Sequence, residues 1–484
     1  MRPTHVPILV SIACIACAGA APTPGGPGHG LVQLRVRDAD TGAPLSARIE
    51  LVREGASILN DEVGPTEGSL EWRLRHEGAT SVYVAEDSVL RVPVGRSTLR
   101  VSRGPRTRTV VRELDVDAMG TTVEIELEER RGPEGWHCGD LRVHAARFDD
   151  TRDDALVALL DTEGLELAGL ADWAGRARER TDERWSWRAR ELRPFTHAPV
   201  AFVPVQAWGP SDSASVLLLA GHRTPVAGRN PIARAAIVEA VTGEGGLVAS
   251  ASGQLFVEAA LLDRLVAVEL DGNPDDLRAW YDVLDVGARV AAIAGSGVEL
   301  GAPTTLQSPP GTRRTCARAS DAEQVLSAVA GGRTYATTGP DLELEVEGAW
   351  IGATLDRAAP GTLRAQLALR DLDAPGGRLE LVRNGEVVWA RPADQAEIEA
   401  RVAVEMPSAG WIALRLRAPD AFAHTSPVYV RMQSVPHRAA DARARLAAAI
   451  PSDAAIADTD ATDGEREVAL RWARAARRAL EAMH

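Results

Sequence analysis

The sequence predicts a multidomain protein that combines α/β and all-β parts, and three observations carry the prediction. At roughly 100–200 residues per domain, 484 residues make about three folded units. Two stretches, 31–129 and 339–432, are built of short runs in which apolar and polar residues alternate between turn residues, the mark of half-buried strands. Between them, over 131–338, apolar strands alternate with helical stretches such as Asp153 to Leu160 and Asp275 to Leu284, as α/β barrels do.

Composition narrows the function. A hydrophobic fraction of 45 % suits a globular chain. The net charge of -14 argues against nucleic-acid binding through a basic face. Beyond the N-terminus no run is apolar enough to span a bilayer. All 54 basic residues are arginine, the mark of a GC-rich genome rather than of a chemistry. Any phosphate or carboxylate contact therefore uses guanidinium, histidine or backbone donors.

Taken in order, Arg2, the apolar run Val6 to Ala16 and small residues through Ala21 have the layout of a cleaved export signal over 1–21, with Ala18-Gly19-Ala20 as the cleavage site. Cys14 and Cys17 each follow Ile-Ala, so a lipid anchor and soluble export both stay open, and periplasm, secretion or envelope attachment all fit. A Pro/Gly linker spans 22–30. Val32 to Asp38 then alternates strictly, turns at Asp40 to Pro44 and continues in Ala47 to Val52, a pair similar to the opening hairpin of carboxypeptidase-regulatory-like β-sandwiches. Ser81 to Val84, Ser97 to Val101, Thr109 to Leu114 and Thr121 to Leu127 complete a small sandwich over 31–129, whose expected role is packing, with carbohydrate or surface contact as the alternative.

The middle part opens with Trp136-His137-Cys138-Gly139-Asp140-Leu141-Arg142-Val143-His144. A strand with histidines two residues apart aims both at one metal, and here the first of the pair is Arg142. The string resembles the W-x-x-G-D-x-H-x-H opening of the PHP (polymerase and histidinol phosphatase) superfamily, in its CehA/McbA-like metallohydrolase branch. Further segments are similar to that branch in order and spacing. Gly164 to Gly175 stands where it has T-D-H, Gly245 to Gly253 where it has His-Pro, Ala267 to Glu299 where it has a Glu-bearing strand and a closing G-S-D-x-H, and Ala330 to Pro340 where it has G-R-T-Y-x-T-x-G-P.

The resemblance implies a distorted barrel of parallel strands over 131–338, with the strand C-terminal ends forming a pocket. On that alignment His144 and Asp172 keep ligand positions, while Arg142, Trp173, Ser252-Gly253, Gly297 and Glu299 replace ligands and Gln206 falls near a glutamate. Asp140, Arg142, Trp173, Gln206, Ser252, Gly297 and Glu299 are thus expected to line the cleft. Two ligands cannot offset dehydration of a catalytic cation, and Arg142 adds a fixed positive charge that repels one. Without metal, water is not ionised near neutral pH. No cofactor is therefore expected, with Zn, Mn or Fe in a functional site.

Cys138 and Cys316 remain in the mature chain, either as a disulfide or as two buried thiols, while a metal site of Cys138, His137 and His144 is disfavoured by alternation along the strand. Trp173, Trp185 and Trp187 lie among arginines, a mixture suited to stacking sugars or gripping an anionic ligand, but interleaved Glu179, Asp182, Glu183 and Glu191 favour a solvated, ion-paired segment. Over 339–432, Leu342 to Val346, Leu363 to Leu369, Arg378 to Val382 and Trp411 to Leu416, with the turn Asn384-Gly385, read as a second β-sandwich. The tail 438–484 holds helices over Ala439 to Ala449 and Gly464 to Met483, whose apolar face docks as a cap. Three functions follow for test: a degenerate hydrolase whose pocket takes a small-molecule or envelope partner, a working metallohydrolase of phosphate, amide or ester bonds, and a structural envelope protein.

Overall fold

In the computed structural model, which describes residues 28–482 apart from 77, 131, 146–152, 174–200, 209–215, 220–231, 252, 254, 301–304, 307, 322–323, 374–375, 434, 436 and 438, the alternating runs of 31–129 form one sheet system around a single core. The export signal with Cys14 and Cys17, Ser252, and Trp185 and Trp187 lie outside the described residues. Val32, Leu34 and Val36 alternate inward from strand His29–Asp38 and meet Ile49, Leu51, Leu90 and Leu99. The first two strands do not form the expected hairpin. Strand Ala79–Pro93 serves both, pairing Ser81 to Val84 with Ala47–Arg53 and Asp87 to Pro93 with His29–Asp38. The connection 39–46 exceeds the roughly two residues of a tight hairpin, and the Asp38 carboxylate instead holds a local turn by accepting from Thr41 N at 2.7 Å and Thr41 Oγ1 at 2.6 Å.

The middle sheet runs Ala291–Ile293, Ala267–Glu269, Leu247–Ser250, Val216–Leu219, Ala201–Trp208, Leu167–Trp173, Trp136–Ala145, Arg314–Arg318 and Thr334–Thr337, and it curls until it is nearly a barrel. Its two ends meet through hydroxyl groups. Thr315 Oγ1 accepts from Ala294 N and donates to Ala294 O, both at 2.8 Å, and Thr334 Oγ1 donates to Ala292 O at 2.7 Å. Val216–Leu219 departs from the parallel expectation by running antiparallel to both neighbours. The connection 209–215 is too short for a parallel crossover, which needs about a dozen residues. Leu141, Leu167, Leu217, Leu219 and Ile293 share one core with Val325 and Val329 of helix Val325–Ala330, while helices Ala233–Gly243, Val257–Leu261 and Pro274–Asp285 cover the outer face.

The sheet continues past residue 338. Thr334–Thr337 pairs with Phe422–Thr425, which leads through Gly410–Arg417 to Arg378–Arg383 and Glu386–Pro392. A second sheet, with Asp341–Val346, Gly361–Arg370 and Ile398–Met406, faces this extension across Leu344, Leu367, Leu381, Ile412 and Leu414. Asn384 and Gly385 take φ of 48 and 79, the paired left-handed geometry of a tight hairpin turn. In the tail, helix Asp463–Ala482 buries Ala469, Trp472, Ala473, Ala476 and Leu480, one helical stripe, and Trp472 stacks on Phe256. Helix Ala440–Ala449 is tied to the barrel by Arg445, which donates to both oxygens of Asp282 at 2.7 and 2.8 Å.

A buried polar chain joins barrel and second sandwich. His424 Nδ1 meets Thr425 O at 2.9 Å; a carbonyl only accepts, so Nδ1 carries the hydrogen and Nε2 accepts from Tyr281 Oη at 2.5 Å. Arg415 then donates to Tyr281 Oη at 3.0 Å and to Glu380 at 2.7 Å. Burial pushes the His424 pKa down to about 3 and that of Tyr281 up to about 12. Because the folded pKa of His424 lies below its unfolded value, its contribution is present above about pH 6.5 and is lost as pH falls toward 3. Buried Asp140, Glu163 and Glu258, raised by desolvation, act in the opposite direction. The comparison that isolates the histidine is urea unfolding of wild type against His424→Gln at pH 7, 5 and 4. The wild type is expected to lose about 1 kcal/mol more per pH unit below 6, and parallel pH profiles would contradict the assignment.

Candidate functional site

The site forms where the barrel strands end. Strand Trp136–Ala145 pairs with Leu167–Trp173, and between Ala168 and Leu170 the register shifts so that one residue opposes the two residues Leu141 and Arg142. Such a bulge re-aims side chains. Leu141 packs in the inner core with Leu167 and Ile293, whereas Val143 packs outside with Leu156, Leu159 and Leu160. Arg142 and His144, on alternate positions past the bulge, are both half-buried.

Arg142 Nε lies 3.0 Å from Glu269 Oε1, and the Glu269 side chain is 2 % exposed against 17 % for Arg142. Glu269 ends the short, wholly buried strand Ala267–Glu269. The segment after Ala291–Ile293 then wraps along Arg142: Gly297 N donates to Arg142 O at 2.8 Å, and His144 N donates to Val298 O at 2.8 Å. Gly297, at φ +67, takes a backbone conformation that suits glycine. Glu299 follows, exposed and opposite His144 in the register.

Asp140 is fully buried and works on backbone. Its Oδ1 accepts from Arg142 N at 3.0 Å and Ser296 N at 2.9 Å, and its Oδ2 accepts from Gly311 N at 2.8 Å. Desolvation raises its pKa, opposed first by the Ser296 side-chain hydrogen bond and then by these backbone ones. Asp140 thus ties the strand to two loops. Asp172 and Trp173 end the next strand, where Ala171 is the register partner of His144 and Asp172 that of Gln206. The backbone therefore brings positions 142, 144, 172 and 206 to neighbouring strand ends, with 269 and 297 beside Arg142; the side chains of Asp172, Trp173 and Gln206 lie outside the description.

The two cysteines form a disulfide between register partners of adjacent antiparallel strands, Cα to Cα 4.0 Å. Cys138 is thereby unavailable to a metal, and His137 turns to Glu166. Among the described residues, the only three candidate metal donors that lie close together are Cys138, Cys316 and Asp341, and two of them are bonded to each other. Sequence reasoning did not place Glu269 in the site; its signal was a carboxylate ending an apolar strand in a barrel whose mouth already held a guanidinium. No protein-family model matches the chain, and no curated protein matches it.

Proposed function

We propose that this chain is an exported, catalytically degenerate relative of the CehA/McbA-like PHP metallohydrolases, whose barrel mouth receives a small-molecule or envelope partner without a metal ion. One observation carries the reading: the Arg142 guanidinium stands 3.0 Å from the Glu269 carboxylate at the strand ends. A catalytic cation needs such carboxylates for itself and is repelled by a guanidinium beside them. Among the described residues, those at the mouth do not fit a catalytic metal. His144 and Asp172 alone retain ligand types at the matching positions, too few for a hydrolytic centre.

Export is supported by the signal-like N-terminus and by the Cys138–Cys316 disulfide, a bond that persists in oxidising compartments. The test is elemental analysis of purified protein, followed by assays on phosphate, amide and ester substrates with Mn²⁺ or Zn²⁺ added. We expect metal well below one equivalent and no turnover above background. Stoichiometric metal, with turnover lost in His144→Ala, would reject this reading in favour of a working hydrolase.

A further inference from the structure

Glu269 sits almost out of contact with water, and a carboxylate in that position requires a positive partner. Arg142 supplies it, and two glycines make the room. A Cβ at Gly295 would lie 2.7 Å from Arg142 Cβ and 3.1 Å from Glu269 Oε1, and a Cβ at Gly297 would lie 2.9 Å from Arg142 Nη2. Side chains at either position would displace the pair. The loop carrying these glycines is pinned to the same strand residue on both sides, because Gly297 N donates to Arg142 O while Ser296 N and Arg142 N share Asp140 Oδ1. Arg142, Glu269, Gly295 and Gly297 are therefore shaped to one another.

We propose that Arg142 is the resident cation of the barrel mouth: Glu269, Gly295 and Gly297 build a seat for a guanidinium, and the seat, once emptied, takes a small guanidinium from solution. This rests on the reading above that no metal occupies the mouth. Arg142→Ala removes the side chain beyond Cβ, and N-ethylguanidinium restores its missing atoms, including the Nε that lies 3.0 Å from Glu269 Oε1. Thermal unfolding of Arg142→Ala is expected to begin several degrees below wild type, by about 5 °C or more. Addition of about 5 mM N-ethylguanidinium should recover a measurable part of that loss, as a ligand of the folded state does.

Wild type and the double variant Arg142→Ala/Glu269→Gln should not respond. A folded Arg142→Ala that ignores N-ethylguanidinium overturns the proposal, as does an equal rise in the double variant. Arg142→Lys against Arg142→Gln gives a second measurement where the alanine variant does not fold. Lysine keeps the charge and should retain much of the melting temperature that glutamine loses, and equal losses overturn the seat. The two readings fail separately: stoichiometric metal in wild type rejects the metal-free mouth, whereas unresponsive Arg142→Ala beside metal-free wild type rejects only the seat.

Discussion

Replacing Cys138 and Cys316 together by alanine is expected to lower the unfolding free energy by about 5 kcal/mol, from loop-closure entropy regained by the unfolded chain. The bond spans a sequence separation of 178 residues, which puts it at the long-loop end of that relation. It also lies in a packed region. Both cysteines are buried beside Trp136 and Tyr335, so the shorter alanines add a packing loss in the same direction. Strand Trp136–Ala145 carries Arg142 and His144 and is held to Arg314–Arg318 by this bond, so the same change should loosen the mouth. Guanidinium chloride unfolding of wild type and double variant measures the effect. A loss under about 1 kcal/mol would mean that the unfolded chain gains little freedom, contrary to the estimate.

The second large effect concerns the ion pair. Arg142→Met should cost about 3 kcal/mol, because it takes the guanidinium from a carboxylate that stays buried. Part of the guanidinium reaches solvent, at 17 % side-chain exposure, which places the figure at the lower end of the range for buried pairs. Removing both charges should be far milder. Arg142→Met/Glu269→Met replaces the pair by apolar side chains, and most of the lost stability is expected to return, with a coupling energy of about 2 kcal/mol. Additive losses would show that the two residues stabilise the barrel independently and would remove the basis of the seat.

Much of the fold was legible where a local rule sufficed. Asn384-Gly385 announced its hairpin because both residues tolerate positive φ. The tail helix announced its buried stripe through helical spacing, with Trp472, Ala476 and Leu480 on the docking face. Longer-range geometry was less legible. The separation of His29–Asp38 from Ala47–Arg53 depends on Ala79–Pro93 being long enough to serve both, which no alternation pattern states. The cysteine pairing stayed open because only the fold sets residues 138 and 316 opposite each other.

The site divides along the same line. Arg142 and His144 stand out as a two-residue spacing on one strand, and the barrel register puts Asp172 and Gln206 on the neighbouring strand ends. The resemblance matched the strand of Glu269 to a Glu-bearing strand, but its place in the site escaped because a single glutamate in an apolar strand carries no label for its partner. Its meaning depends on the curl of the sheet, which brings that strand end to Arg142, and on the missing side chains of Gly295 and Gly297. Likewise Asp140, expected in the pocket lining, is consumed by three backbone N–H groups beneath it.

The central claim is that a guanidinium, not a metal ion, balances Glu269. Crystals grown with excess Zn²⁺ or Mn²⁺ and measured at the metal absorption edge test it most directly. Arg142 is expected in place against Glu269, with no anomalous peak in the barrel mouth; a peak there held by four or more protein atoms, with Arg142 swung aside, would overturn this assignment.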